Sequence, residues 1–158
     1  MRIFRMPGKR ESGFTLIELM TTIAVFSVLA TIAIPTFMSW LPGMRLNGAA
    51  RQVMGDLMAA RMNAVKLNKN TQVFFDGNYQ YKICNDTDDL GTTVSYEEGD
   101  LVTKNIQDNY PGVQIISATN NPIFLPRGTA TNLATITLQN SSGTKAITVS
   151  IAGRVKIN

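Results

Sequence analysis

Gly13-Phe14-Thr15-Leu16-Ile17-Glu18, running on through Leu19 to Leu41, is the stretch on which the reading of this chain turns. From Phe14 to Leu41 there are twenty-eight residues and a single charge, Glu18. Leu19–Leu41 supplies twenty-three uncharged residues, and a helix needs about 20 to cross a bilayer. Ahead of the run, Arg2, Arg5, Lys9 and Arg10 stand against Glu11. A basic flank before an apolar helix suits a plain membrane anchor with its Lys/Arg on the cytoplasmic side. A cleaved secretory signal peptide fits less well. It needs a short apolar core and small residues at its exit, whereas here the run continues past Thr31-Ile32-Ala33 through Ile34, Phe37, Trp40 and Leu41. Neither reading accounts for Glu18, because a carboxylate in an apolar helix costs on the order of 2.5–3.5 kcal/mol on insertion scales and needs a partner.

The motif resembles the type III signal of type IV pilins and type II secretion pseudopilins. The resemblance implies that a prepilin peptidase cuts between Gly13 and Phe14, that the new amino terminus on Phe14 is methylated, and that the apolar helix is retained. Gly13 suits this physically, since a residue without a side chain allows close backbone approach in a protease groove. Glu18 stands four residues beyond the new terminus. In the family a carboxylate there is thought to pair with the terminal amine of a neighbouring subunit and set axial register. The competing reading is a snorkelling interfacial residue of an ordinary anchor. Pro35 removes one backbone hydrogen bond from the helix, so a kink or local melting is expected there.

Pro42-Gly43 punctuates the chain, and a second pattern follows it. Leu46, Ala50, Val53, Leu57, Ala60, Ala64 and Leu67 recur at helical spacing as one stripe. Arg45, Arg51, Gln52, Asp56, Asn63 and Lys66 occupy much of the remaining surface. The expectation is an amphipathic helix over 44–68, continuing the membrane helix and packing on a sheet. After residue 70 the period becomes two. Thr71–Phe75 and Tyr79–Ile83 flank the turn Asp76-Gly77-Asn78. Val113–Ile115, Ile123–Leu125 and Thr135–Leu138 are short strand candidates. The closing run, with Ile147, Val149, Ile151, Val155 and Ile157 alternating with polar residues, reads as a strand with one apolar face, joined to its predecessor by Asn140-Ser141-Ser142-Gly143. Asn85–Asp100 reads as a solvated acidic loop. Its Asp86, Asp88 and Asp89 lack the spacing of an EF-hand calcium loop.

Three later elements narrow the family. Ala60-Arg61-Met62-Asn63-Ala64, Phe124-Leu125-Pro126-Arg127-Gly128 and the terminal Gly153-Arg154-Val155-Lys156 occur in the order of the AR-x-x-A, F-x-P-x-G and Gly-Arg-x-Arg elements of the FimT/GspH branch, which they resemble. The expected fold is α+β: a long N-terminal hydrophobic α-helix, serving as transmembrane and filament-core element, packed at its C-terminal half on a small, mostly antiparallel β domain. The expected organisation is a cleaved leader over 1–13, a transmembrane helix over 14–41 and a periplasmic pilin-like domain over 42–158, its β part spanning 71–158.

Function is read the same way. The chain of 158 residues has no His and one Cys, which removes the commonest general base and metal ligand, any intramolecular disulfide and any Cys-cluster zinc site. A non-enzyme without cofactor or metal is expected, and Cys84 reads as a buried small hydrophobe. The aromatics Phe74, Phe75, Tyr79, Tyr81 and Tyr96 read mostly as strand core. The expected partners are prepilin peptidase, other pilins or pseudopilins through the N-terminal helix, the bacterial inner membrane, and DNA. In FimT-type proteins the Gly-Arg-x-Arg ending has been linked to DNA; here Lys156 replaces the second Arg, keeping the charge without the planar fork. No acid follows Asp108, so Arg154 and Lys156, with Arg127 and Lys145 close by, suggest a basic patch for backbone phosphate. A solvated strand edge whose charges discourage edge-to-edge pairing is the alternative. A FimT-like minor pilin is favoured over a GspH-like pseudopilin of type II secretion, and a single-span sensor or receptor domain is the reading from outside the family.

Overall fold

The computed structural model describes residues 13–85 and 101–158. Residues 1–12 of the expected leader and the acidic stretch 86–100, with Asp86, Asp88, Asp89 and Tyr96, lie outside the described residues. The chain divides into two compact units, one ending at Ser39 and one running from Trp40 to Asn158.

A single helix, α1 (Leu16–Leu67), contributes to both units. Thr15 opens it: the Glu18 amide donates to Thr15 Oγ1 at 3.3 Å and the Leu19 amide to the Thr15 carbonyl at 3.2 Å. One free helix-terminal donor is thus satisfied by a hydroxyl, as an N-cap does. The Thr-x-x-Glu spacing is the sequence signature of such a cap. The melting expected at Pro35 and the break expected at Pro42-Gly43 do not occur; α1 is unbroken across both. Proline removes one N–H from the ladder, and a helix of 52 residues has many other bonds to hold it.

In the first unit, residues 16–39 are exposed throughout. Their hydroxyls are turned back on the helix: Thr21, Thr22, Ser27, Thr31 and Thr36 each donate to the carbonyl four residues earlier, and Ser39 donates to Thr36. Groups that would be expensive in hydrocarbon are therefore already paired.

In the second unit, α1 buries Leu46, Ala49, Ala50, Val53, Leu57, Ala60 and Ala64. Six of these lie on the stripe read from the sequence. Its last member, Leu67, is half exposed, because the helix ends there. The stripe packs on two four-stranded sheets. One has the order β3-β2-β1-β5, from β1 (Thr71–Asp76), β2 (Gln80–Cys84), β3 (Leu101–Asn105) and β5 (Ile123–Phe124). The other has the order β4-β6-β7-β8, from β4 (Gln114–Ala118), β6 (Ala134–Asn140), β7 (Gly143–Val149) and β8 (Val155–Ile157). Every described pairing is antiparallel. The sheets meet where the β1–β2 turn lies against the second: the Ile115 amide donates to the Asn78 carbonyl at 2.7 Å. One core joins them, with Tyr81 and Phe124 from the first sheet and Ile136, Leu138 and Ile147 from the second around Val53 and Leu57. Four Ala among the buried helix residues let the backbones approach closely.

A polar link ties α1 to the first sheet. Asp56 accepts from the Tyr81 hydroxyl and from Lys104 Nζ at 2.5 Å, while Gln52 donates to Tyr81 and accepts from Asn109 at 3.1 Å. Burial, reinforced by the Asp56 carboxylate, pushes the Tyr81 phenol well above its ordinary range.

The closing run departs from its sequence reading. It is not one strand but two, β7 and β8, folded back through residues 150–153, so that Val149 pairs with Val155 and Ile147 with Ile157. Ile151 sits in the turn and is 63% exposed, not core. Gly153 makes the reversal with a φ of +76°, a conformation in which other residues are strained.

Candidate functional site

The first candidate is the N-terminal motif. Gly13 and Phe14 precede the helix and are exposed, Phe14 at 85%. A Cβ on Gly13 would meet no atom, so nothing within the chain itself requires glycine there. Glu18 is in the first turn of α1, exposed, and among the described residues it carries no ion pair. A carboxylate in the first turn is favoured by the helix dipole, yet it faces the same surroundings as Leu16, Ile17, Leu19 and Met20, which are also exposed. The helix is long and apolar enough to cross a membrane. An exposed apolar surface of this extent is the kind that marks a membrane or partner interface.

The second candidate lies in the β-bearing unit, where three short motifs far apart in sequence converge. Ala60 and Ala64 are buried, and Arg61 between them points its Nε–H at the Gly128 carbonyl, at 2.7 Å. Gly128 closes a tight turn, with φ +80° and its amide on the Leu125 carbonyl at 2.8 Å. The same Gly128 carbonyl occupies the space that a Cβ on Gly153 would need, and such a Cβ would also crowd Arg61 Nε. The Ala130 amide donates to the Ile151 carbonyl at 2.9 Å. Helix, loop 125–130 and turn 150–153 are therefore locked at one point; Gly128 is required there by its backbone angle, and Gly153 by both its backbone angle and its neighbour.

Arg127 precedes one of these glycines and Arg154 follows the other, so the lock brings their backbones near each other, and both residues are exposed. Arg127 Nε donates to Thr129 Oγ1 at 2.9 Å. Lys156 is exposed beside Arg154, opposite Thr148. Lys145 is not part of this group. It shares the sheet face of the buried Ile147 and Val149, whereas Lys156 and Arg154 take the opposite face. It also lies by the β6–β7 hairpin, where Asn140 Nδ2 donates to the Pro42 carbonyl at 2.7 Å. Pro42 and Arg61 are roughly 28 Å apart along the helix, at 1.5 Å per residue. The four-residue patch expected from the acid-free C-terminal third is thus divided: Arg127, Arg154 and Lys156 on one side, Lys145 on the other. Strand parity already separates Lys145 from Arg154 and Lys156, and the β7–β8 reversal keeps them on opposite faces. Arg61, in the sequence only part of a family signature, takes its place in the site.

The profile of the family described as type II transport protein GspH matches residues 49–153, and that of the prokaryotic N-terminal methylation motif matches residues 8–34. Together they take in most of the apolar helix, the helix stripe from Ala49 onward and the first two converging motifs, and they reach the third at Gly153, with Arg154–Lys156 outside the match. Two crystal forms of the type IV minor pilin FimU of Pseudomonas aeruginosa strain PAO1 share the fold at 17% identity. They cover 72% of this chain and 92% or 87% of theirs, with TM-scores of 0.52 and 0.54. The minor pseudopilin EpsH from the type 2 secretion system of Vibrio cholerae matches at 12% identity, over 72% of this chain and 96% of its own, with a TM-score of 0.55. At these identities the likeness concerns the fold. No curated protein sequence matches the chain.

Proposed function

This chain belongs to the GspH family of pilin-like structural subunits, and from that premise we propose that it is a FimT-like minor pilin, cut between Gly13 and Phe14, methylated on Phe14 and assembled into or at the tip of a type IV pilus. Membership makes it a minor pilin or pseudopilin, and it displaces the single-span sensor reading. The methylation motif implies processing by prepilin peptidase and assembly with other pilins.

The observation that carries the assembly step is the apolar surface of residues 16–39, exposed throughout yet with its hydroxyls already paired. Before assembly, lipid covers it, with the chain anchored once in the inner membrane and the domain over 42–158 in the periplasm. In the filament, neighbouring helices cover it. Glu18 supplies the register: leaving its charge unpaired among apolar helices is costly, so each subunit settles where the carboxylate meets an amine of a neighbour. In this proposal Arg154 and Lys156, with Arg127, offer positive charge to DNA during uptake. Lys145 takes no part in that contact.

Intact-mass measurement after co-expression with a prepilin peptidase tests the processing: the expected product lacks residues 1–13 and carries a methyl group on Phe14, and an uncut chain would refute it. Glu18→Ala is expected to be cut normally but to appear in sheared filaments at least tenfold less, since about 1.4 kcal/mol already corresponds to a factor of ten. Normal incorporation would remove the registry role.

A second reading, a GspH-like minor pseudopilin of type II secretion, is favoured by the GspH profile match and by the EpsH likeness. Deleting the gene separates the two. Loss of pili or of transformation supports the first reading, and loss of protein secretion supports the second.

A further inference from the structure

The lock between helix and C-terminal turn leaves two arginines in a shared state. Arg61 uses its Nε–H on the Gly128 carbonyl at 2.7 Å, and Arg127 uses its own on Thr129 Oγ1 at 2.9 Å. Both guanidinium groups are thus oriented by adjacent residues of one loop, and both residues are exposed. Among the described residues, neither has an acceptor for its terminal nitrogens Nη1 and Nη2, and no carboxylate pairs with either. Asp56, the acid of α1 nearest in sequence to Arg61, is engaged by Tyr81 and Lys104. Loop 125–130 and turn 150–153 contain no acid.

An arginine held by Nε keeps its end-on fork, two parallel N–H donors at the spacing of two phosphate oxygens. Fixing the side chain beforehand removes part of the ordering cost of binding. The geometry points to Arg61 and Arg127 as a paired phosphate-binding element, taking the non-bridging oxygens of a nucleic-acid backbone beside Arg154. This rests on the DNA reading above and extends the contact surface from the C-terminal turn onto the helix, giving Arg61 a ligand role besides its structural one. No aromatic residue lies in loop 125–130, turn 150–153 or residues 154–158. Binding is therefore to phosphate and independent of base sequence.

The test is fluorescence anisotropy of the full chain in micelles with a labelled mixed-sequence DNA duplex, measured across a salt series. Arg61→Gln keeps an amide donor for the Gly128 carbonyl but removes the charge. It is expected to weaken binding about tenfold at low salt and to reduce the slope of log K against log salt by about 0.9, the loss of one phosphate contact. Arg127→Gln is expected to do the same. Arg51→Gln, an exposed arginine elsewhere on α1, is expected to leave the slope unchanged. Arginine side-chain 15N NMR of the unmutated protein provides a reading that needs no variant: the signals of Arg61 and Arg127 shift on adding DNA and that of Arg51 does not.

If the unmutated protein binds no DNA at low salt, the DNA reading itself fails. If it binds, and Arg154→Ala with Lys156→Ala weakens it while Arg61→Gln leaves the slope intact, only the present inference fails. Vesicles of anionic phosphatidylglycerol and free inorganic phosphate serve as the other arms. Arg61→Gln abolishing vesicle binding with DNA binding untouched would overturn the inference in favour of a lipid surface.

Discussion

Residues 16–39 and residues 40–67 belong to one helix but meet opposite physical conditions. The first stretch is apolar on all sides and exposed; the second is apolar along one stripe, rich in Ala, and buries that stripe under two sheets. The same element thus ends as a self-sufficient core and begins as a surface that needs a second molecule. The difference lies in composition. A uniformly apolar helix has no face to show water, whereas one with Arg, Gln, Asn and Lys between its apolar positions has. A chain made this way carries its folding core in its C-terminal part, and in the proposed assembly its N-terminal part makes the contacts, so the two are open to separate mutation.

The sharpest test of that separation is a matched pair of leucines. Leu57 is buried and Leu29 is 57% exposed. Leu57→Ala is expected to lower the stability of the β-bearing unit by about 2–5 kcal/mol, and Leu29→Ala to leave its denaturant midpoint unchanged. An equal effect of both would break the comparison. Gly153→Ala comes next, at about 2–3 kcal/mol from a left-handed backbone and a collision with the Gly128 carbonyl. The same melt should show loss of the lock, with loop 125–130 gaining hydrogen exchange.

Asp56→Asn is expected to cost about 1–2 kcal/mol, through the half-exposed Lys104 and the buried Tyr81 that it serves. The same site has a pH signature. The Tyr81 phenol is raised in the folded state above its ordinary 10.0, so the folded chain binds the proton more tightly than the unfolded one. Its contribution is complete below about pH 10 and declines above it, by at most about 1.4 kcal/mol per pH unit. Tyr81→Phe should remove that alkaline slope. Smallest is Thr15→Ala, about 1 kcal/mol in the first turn of α1. It is read as faster amide exchange at Glu18 with no change in the midpoint of the β-bearing unit.

Much of this was legible beforehand for identifiable reasons. The helix stripe was visible because period 3.6 survives over six turns, and the turn at Asp76-Gly77-Asn78 because glycine there adopts φ +72°. Strand β3 was not seen: Leu101–Asn105 is a partly exposed edge strand without strict alternation, following an acidic stretch. The β7–β8 reversal was missed because Ile151 and Val155 keep the apolar rhythm through the turn, and only the φ of Gly153 breaks it. Thr15-x-x-Glu18 carries the cap signal openly in the sequence.

By itself the sequence determined what depends on neighbours along the chain: an apolar helix too long and too uniform to be covered by its own small domain, a lone carboxylate in it, and an amphipathic continuation. These follow from periodicity and from the cost of placing charge in hydrocarbon. Tertiary structure alone decided which distant residues share a site. It set Arg61 on the Gly128 carbonyl, packed Gly128 against Gly153, gathered Arg127 with Arg154 and left Lys145 on the other face of its sheet. Contacts of that kind depend on strand register and on a reversal of the chain at one glycine, and shifting either by a residue would send each side chain to the opposite face.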